Sequence, residues 1–303
     1  MTVAGLLASF ASRSGPQLLT PVISGDLFFQ YDLSTINTDL GTSQTGSRVL
    51  DTGFIRALIN GQNRGALGNG QSTLSSTNYQ LIYDTAGTGN YIYSGFNDVF
   101  QPGTPYEGGY FEVDGTRFIG GFNSSTSITG LTIANGSTPV TWLRPDGVVV
   151  VLLGQGGGFG QVIYQFQAIG RTLRMCMSYF NDTTSNRTIR AIRGGDPDFD
   201  AFNTDNIRAN SNQVSGRGTT TNKTLAIYAP PSGFTQNAAI ITSWSGPNNI
   251  GPVLAGGVAN GVTDSAIYAA WDVGSVAPAS WVHLRVYYAV GVGVANAYAA
   301  LGL

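Results

Sequence analysis

Apolar residues recur at every second position over several stretches of the chain, with polar residues in the places between. The clearest case lies mid-chain. Val162, Tyr164, Phe166 and Ala168 fall on one face, with Gln161, Gln165 and Gln167 opposite. A short turn at Ile169–Gly170 follows, and Leu173, Met175, Met177 and Tyr179 set a second apolar row on the same side. Period-two alternation across a short turn predicts a β-hairpin with one face toward a core. Near the C-terminus Val282, Leu284, Val286, Tyr288 and Val290 alternate likewise, and Val292 and Val294 continue the series through two glycines.

Further strands are predicted at 27–33, 49–59, 79–83, 109–113, 117–122, 148–153, 225–228, 238–244 and 266–271. Residues 187–193 add a third strand beside the hairpin. Short apolar runs separated by Gly, Asn, Ser, Thr and Pro clusters mark an all-β chain. The expectation is a β-sandwich or jelly-roll of antiparallel sheets, with long Gly/Ser/Thr/Asn-rich loops at 60–78 and 203–224 and extended terminal arms. Residues 1–26 read as an N-terminal arm and 27–290 as the sandwich domain, with a candidate sub-boundary near 135–146. Residues 291–303 read as an uncharged tail.

Composition sharpens this picture. The 303 residues include 42 Gly and only 11% charged residues, against averages of about 7% Gly and about 25% charge. There are 14 Arg but a single lysine, Lys223, and 15 Asp but only two glutamates, Glu107 and Glu112. Lys and Glu fill exposed helix faces, so bundles and coiled coils are excluded. With 42% hydrophobic residues and a net charge of −2, disorder is excluded as well. The arginines are scattered, with no basic run for a phosphate backbone or an acidic membrane surface, so nucleic acid is not a partner.

After Arg285 the last 18 residues carry no charge. That length approaches a membrane helix, but its alternation is that of a strand, so no membrane insertion is expected. Met1–Ser12 is uncharged too and lacks the basic start of a secretory signal.

Candidate chemistry is sparse. Cys176 is the only cysteine, which rules out an intrachain disulfide and a cysteine zinc site. It reads as a small buried hydrophobe in its strand. Residues 154–160 are glycine-rich, but Phe159 stands where a dinucleotide loop needs its third glycine, and a strand follows instead of a helix. A glycine-rich hairpin connection fits better.

Asp196, Asp198 and Asp200 alternate, with Asn203 and Asp205 just beyond. Such spacing delivers several oxygens from one loop, so these five residues are the candidate ligands of a Ca²⁺ ion. An EF-hand is excluded, because Ala201 and Ile207 occupy its glycine and glutamate positions.

His283 is the only histidine and shares a strand face with Trp281, Arg285 and Tyr287. No Gly-x-Ser-x-Gly elbow accompanies it. Glycoside hydrolysis needs two carboxylates, for which Glu107 and Glu112 are the visible pair.

A surface this poor in charge reads as one buried against copies of itself. The leading expectation is a non-enzymatic structural protein that self-assembles by strand or arm exchange. Its product would be an extracellular filament, tube or surface layer, or a virion capsid or tail. Val3, Leu6, Leu7 and Phe10 of the arm, and Val286, Tyr288, Val290, Val292 and Val294 of the last strand, are its expected assembly residues. The alternative is a glycan-binding cell-surface adhesin that uses aromatic platforms and Ca²⁺ at the acidic loop. A β-sandwich glycoside hydrolase is third.

Overall fold

The structure, a computed structural model, describes residues 47–60, 65–68, 75–76, 78–84, 86–91, 97–100, 106–122, 140–144, 147–154, 160–200, 204–242 and 250–303. All belong to one compact unit, Gln44–Leu303. The N-terminal arm and the strand expected at 27–33 lie outside the described residues.

Four short strands come first: β1 (Arg48–Asp51), β2 (Ile55–Asn60), β3 (Ala66–Leu67) and β4 (Leu81–Tyr83). β2 pairs with each of the other three. A hairpin of β5 (Glu107–Val113) and β6 (Thr116–Phe122) follows. Next is a meander of β7 (Val140–Leu143), β8 (Val149–Gly154), β9 (Gln161–Ile169) and β10 (Thr172–Phe180). The chain continues through β11 (Arg187–Gly195), β12 (Thr204–Asn210), β13 (Gln213–Gly218), β14 (Lys223–Tyr228) and β15 (Thr235–Ile241). Helix α1 (Gly251–Leu254), β16 (Gly261–Thr263), β17 (Ala266–Val276), β18 (Trp281–Val292) and helix α2 (Val294–Ala300) complete it.

Among the described residues, two antiparallel sheets form the body. One has nine strands in the order β16-β12-β13-β14-β18-β10-β9-β8-β7, the other five in the order β15-β17-β11-β5-β6. The all-β sandwich read from the alternation is the fold. The hairpin predicted around Gly170 forms as β9–β10, with Val162 opposite Tyr179 and Phe166 opposite Met175. Its apolar row, with Leu284 and Val286 of β18, packs against Phe111, Ile189, Ala191 and Trp271 of the other sheet. Trp271 is fully buried there, and its truncation to Ala would cost about 3–5 kcal/mol. The opposite face of the five-stranded sheet is also buried, where Tyr110, Ile192 and Tyr268 cluster with Ile250 and Val253 of the α1 segment.

Two expectations need correction. Residues 204–218, read as part of a long polar loop, form the β12–β13 hairpin near one edge of the large sheet. Ile207 and Val214 are its only large apolar residues, so its alternation is too thin to read. Pairing with β14 and β16 supplies the order instead.

The C-terminal strand is not an arm. β18 is central, paired with β10 from Trp281 to Ala289 and with β14 from Tyr287 to Val292. Its alternating row faces inward, so Val286, Tyr288 and Val290 are buried in the chain's own core. A strand hydrogen-bonded on both sides has no free edge to lend to a neighbour. Val292 is exposed at the strand's end, and Gly293, at φ 88°, breaks the strand before Val294 opens α2. The helix folds back on the same sheet. Ala297 sits on Gly291, where a Cβ would come within 2.9 Å of its backbone nitrogen, and Thr172 Oγ1 donates to the Ala300 carbonyl at 2.9 Å. Among the described residues no helix is long and apolar enough to cross a membrane.

Candidate functional site

Because Val282, Leu284, Val286 and Tyr288 face the core, the pleat turns Trp281, His283, Arg285 and Tyr287 to the outer face of the nine-stranded sheet. All four are half-buried. The register places Phe180, Ser178, Cys176 and Arg174 of β10 directly opposite them. On the other flank Tyr228 of β14 lies opposite Tyr287.

Side chains meet in three of the β10 pairs and in the Tyr228–Tyr287 pair. The Trp281 ring stacks on His283, with centroids 5.7 Å apart and planes 9° from parallel, and lies 4.8 Å from Phe180. Ser178 Oγ and His283 Nδ1 are hydrogen-bonded at 2.9 Å, and Cys176 Sγ lies 3.4 Å from the same oxygen. The Arg174 guanidinium lies over Tyr287, 5.6 Å from its centroid, and Tyr287 meets Tyr228 edge-on at 6.1 Å. The result is a ladder of aromatic rings, two guanidiniums and one imidazole on a strand held from both sides.

Burial, and then the Arg285 charge, pull the His283 pKa down to about 4. At neutral pH the ring is uncharged, and it is a poor proton acceptor. It therefore does not activate Ser178 as a nucleophile. A neutral imidazole beside a guanidinium is instead suited to hydrogen-bond an oxygen on which negative charge develops.

A second cluster gathers three carboxylates. Asp196 and Asp198, just after β11, are buried, and the exposed Asp264 of the β16–β17 turn joins them, with oxygens within 4.8 Å of one another. Burial, then the Asp198 and Asp264 charges, hold Asp196 well above the usual carboxylate range. These oxygens are of the type a hard cation takes.

The other expected ligands are engaged elsewhere. Asp200 Oδ2 accepts the backbone N–H groups of Thr220 and Thr221, both at 2.8 Å. Asp205 pairs with Arg217 across the β12–β13 hairpin. Asn203 lies outside the described residues, as do Val3, Leu6, Leu7 and Phe10.

The glutamates do not form a hydrolase pair. They point to opposite faces of β5: Glu107 is fully buried against Arg193, and Glu112 lies beside Arg190. Cys176 is buried, as expected.

Sequence reading brought His283 together with Trp281, Arg285 and Tyr287 but missed Ser178 and Asp264. Ser178 and His283 are 105 residues apart, so only the β10–β18 register joins them. Asp264 follows β16, which pairs with β12 across a long stretch of chain.

No family model matches the chain, and no curated protein matches it by sequence. In fold it is similar to a galactose mutarotase related enzyme from Lactobacillus acidophilus, at 9% identity and a TM-score of 0.44 over 82% of this chain and 98% of that one. It is also similar to an aldose epimerase homologue from C. elegans, at 8% identity and a TM-score of 0.43 over 83% and 100%. A third is heparan sulfate lyase HepC from Pedobacter heparinus, at 10% identity and a TM-score of 0.38 over 86% and 39%.

The likeness is one of fold. Those three proteins are named for work on sugars and polysaccharides. The leading expectation of a non-enzymatic, self-assembling structural protein is corrected by the sheet itself: the strand meant for exchange is locked between its own neighbours.

Proposed function

We propose that the chain is a carbohydrate-active enzyme whose substrate lies along the Trp281–Tyr287 ladder. The observation that carries this reading is the single histidine, held neutral between a stacked tryptophan and an arginine on a half-buried sheet face. Sugar rings offer C–H faces that stack on aromatic rings and hydroxyls that bond to polar tips. Trp281 and Tyr287 supply the first, Arg174 and Arg285 the second. In the tautomer in which the Ser178 hydroxyl donates to Nδ1, the imidazole proton sits on Nε2. From there it stabilises charge on a sugar oxygen together with Arg285.

The test compares the full chain with the His283→Gln and Trp281→Ala variants on a panel of aldoses and polysaccharides. Polarimetry follows anomer exchange and chromatography follows chain cleavage. His283→Gln should lower kcat about 10²–10³-fold with KM little changed, and Trp281→Ala should raise KM. Undiminished turnover by His283→Gln, or no turnover of any sugar by the wild type, overturns the reading.

A further inference from the structure

At the far end of β18, eight residues and about 26 Å from His283, a cavity of about 190 Å³ opens between the small sheet, the β9–β10 turn and α2. Phe54, Tyr83, Asp84, Arg171, Gly291 and Asn296 line it. That volume is below the ~300–1,000 Å³ of sites for drug-sized ligands, so it takes one small ring.

Its walls are built. Phe54 lies flat on Gly87, where a Cβ would stand 2.1 Å from the ring, so no side chain other than hydrogen fits at 87. The Arg171 guanidinium sits 5.3 Å from the Phe54 centroid. The Asp84 carboxylate accepts the N–H groups of Ala86, Thr88 and Asn90 and the hydroxyl of Thr88. Led by the Thr88 bond, these hold its pKa down to about 2, so it is ionised at any working pH. Tyr83 is 4% exposed, with its phenol oxygen buried away from the space, so it lines the cavity by its ring.

We infer that this cavity binds one neutral polyhydroxylated ring, a single sugar residue, as a site separate from the sheet-face ladder. An anion is opposed by Asp84 and a cation by Arg171. A neutral polyol satisfies both, since its hydroxyls donate to the carboxylate and accept from the guanidinium. Its C–H face rests on Phe54.

NMR titration of the full chain with glucose, galactose, mannose and xylose tests this, with glycine as a zwitterion and inorganic phosphate as an anion for comparison. At least one sugar should shift resonances of residues 83, 84 and 171. Arg171→Met should weaken that binding about 3–10-fold, because it removes the hydrogen-bond donor while keeping an apolar stem on Phe54. His283→Gln should leave it unchanged, so failure of the sheet-face reading is told apart from failure here. The inference is overturned if no sugar shifts these residues, if glycine or phosphate shifts them instead, or if Arg171→Met binds as tightly as the wild type.

Discussion

Glu107 and Arg193 meet in two hydrogen bonds, at 2.7 and 2.9 Å, and neither side chain reaches solvent. Glu107 also accepts the Leu67 N–H at 2.7 Å and the Tyr288 hydroxyl at 2.9 Å, while Arg193 donates to the Gly65 carbonyl at 3.0 Å. The guanidinium lies over Tyr164 and Phe166. One ion pair thus ties both large sheets to the β3 segment. Glu107→Gln leaves a buried cation without its counter-charge and should cost about 3–5 kcal/mol, whereas Glu107→Leu combined with Arg193→Met should recover much of that loss. Urea denaturation of the two variants checks the difference.

Gly194 sits where β11 passes closest to β17. A Cβ there would stand 2.1 Å from the Ile267 carbonyl oxygen, which is backbone and cannot swing away. Gly194→Ala should therefore force the two strands apart and destabilise by about 2 kcal/mol or more. A thermal melt would show it as a clear fall, and an unchanged melting temperature would contradict the packing.

The histidine sets a pH signature. Burial and then Arg285 lower its folded pKa to about 4, against 6.5 when free. Between those values the unfolded chain binds a proton that the folded chain does not, so stability falls as pH drops from about 6.5 to about 4. The loss reaches at most about 3 kcal/mol. His283→Gln removes this component, so wild type and variant should converge or cross as the pH is lowered. Any rate that depends on neutral His283 should likewise show no inflection near 6.5. Denaturation midpoints and rates across pH 4–8 measure both.

The acidic cluster predicts a stabilising change. Asp196 is strained by burial and by its two carboxylate neighbours. Asp264 is exposed and belongs to the cluster, so Asp264→Asn should raise the melting temperature by about 1–2 °C at pH 7 in chelator. The gap should close at lower pH, where Asp196 takes up its proton in the wild type. Calorimetry at two pH values separates this from a pH-independent surface effect.

The hairpin around Gly170 and the apolar row of β18 were legible because a one-sided strand writes its burial into period-two alternation. The same row misled about function. Val286, Tyr288 and Val290 look like a surface for a partner, since sequence does not say whether an apolar row meets the chain's own second sheet or another molecule. The β12–β13 hairpin was illegible because it is polar on both faces and is ordered by its neighbours.

By itself the sequence determined the class. Too little Lys and Glu for helices, with alternation and turn residues throughout, leaves only stacked antiparallel sheets, because these are local preferences that need no partner. Which strands become neighbours was decided by the tertiary structure alone. Hydrogen-bond register between strands far apart in the chain brings Ser178 to His283, draws Asp264 to Asp196 in place of Asp200 and Asp205, and seals β18 in the middle of its sheet. Long-range pairing is set by the fit of two whole sheets and leaves no mark on either segment.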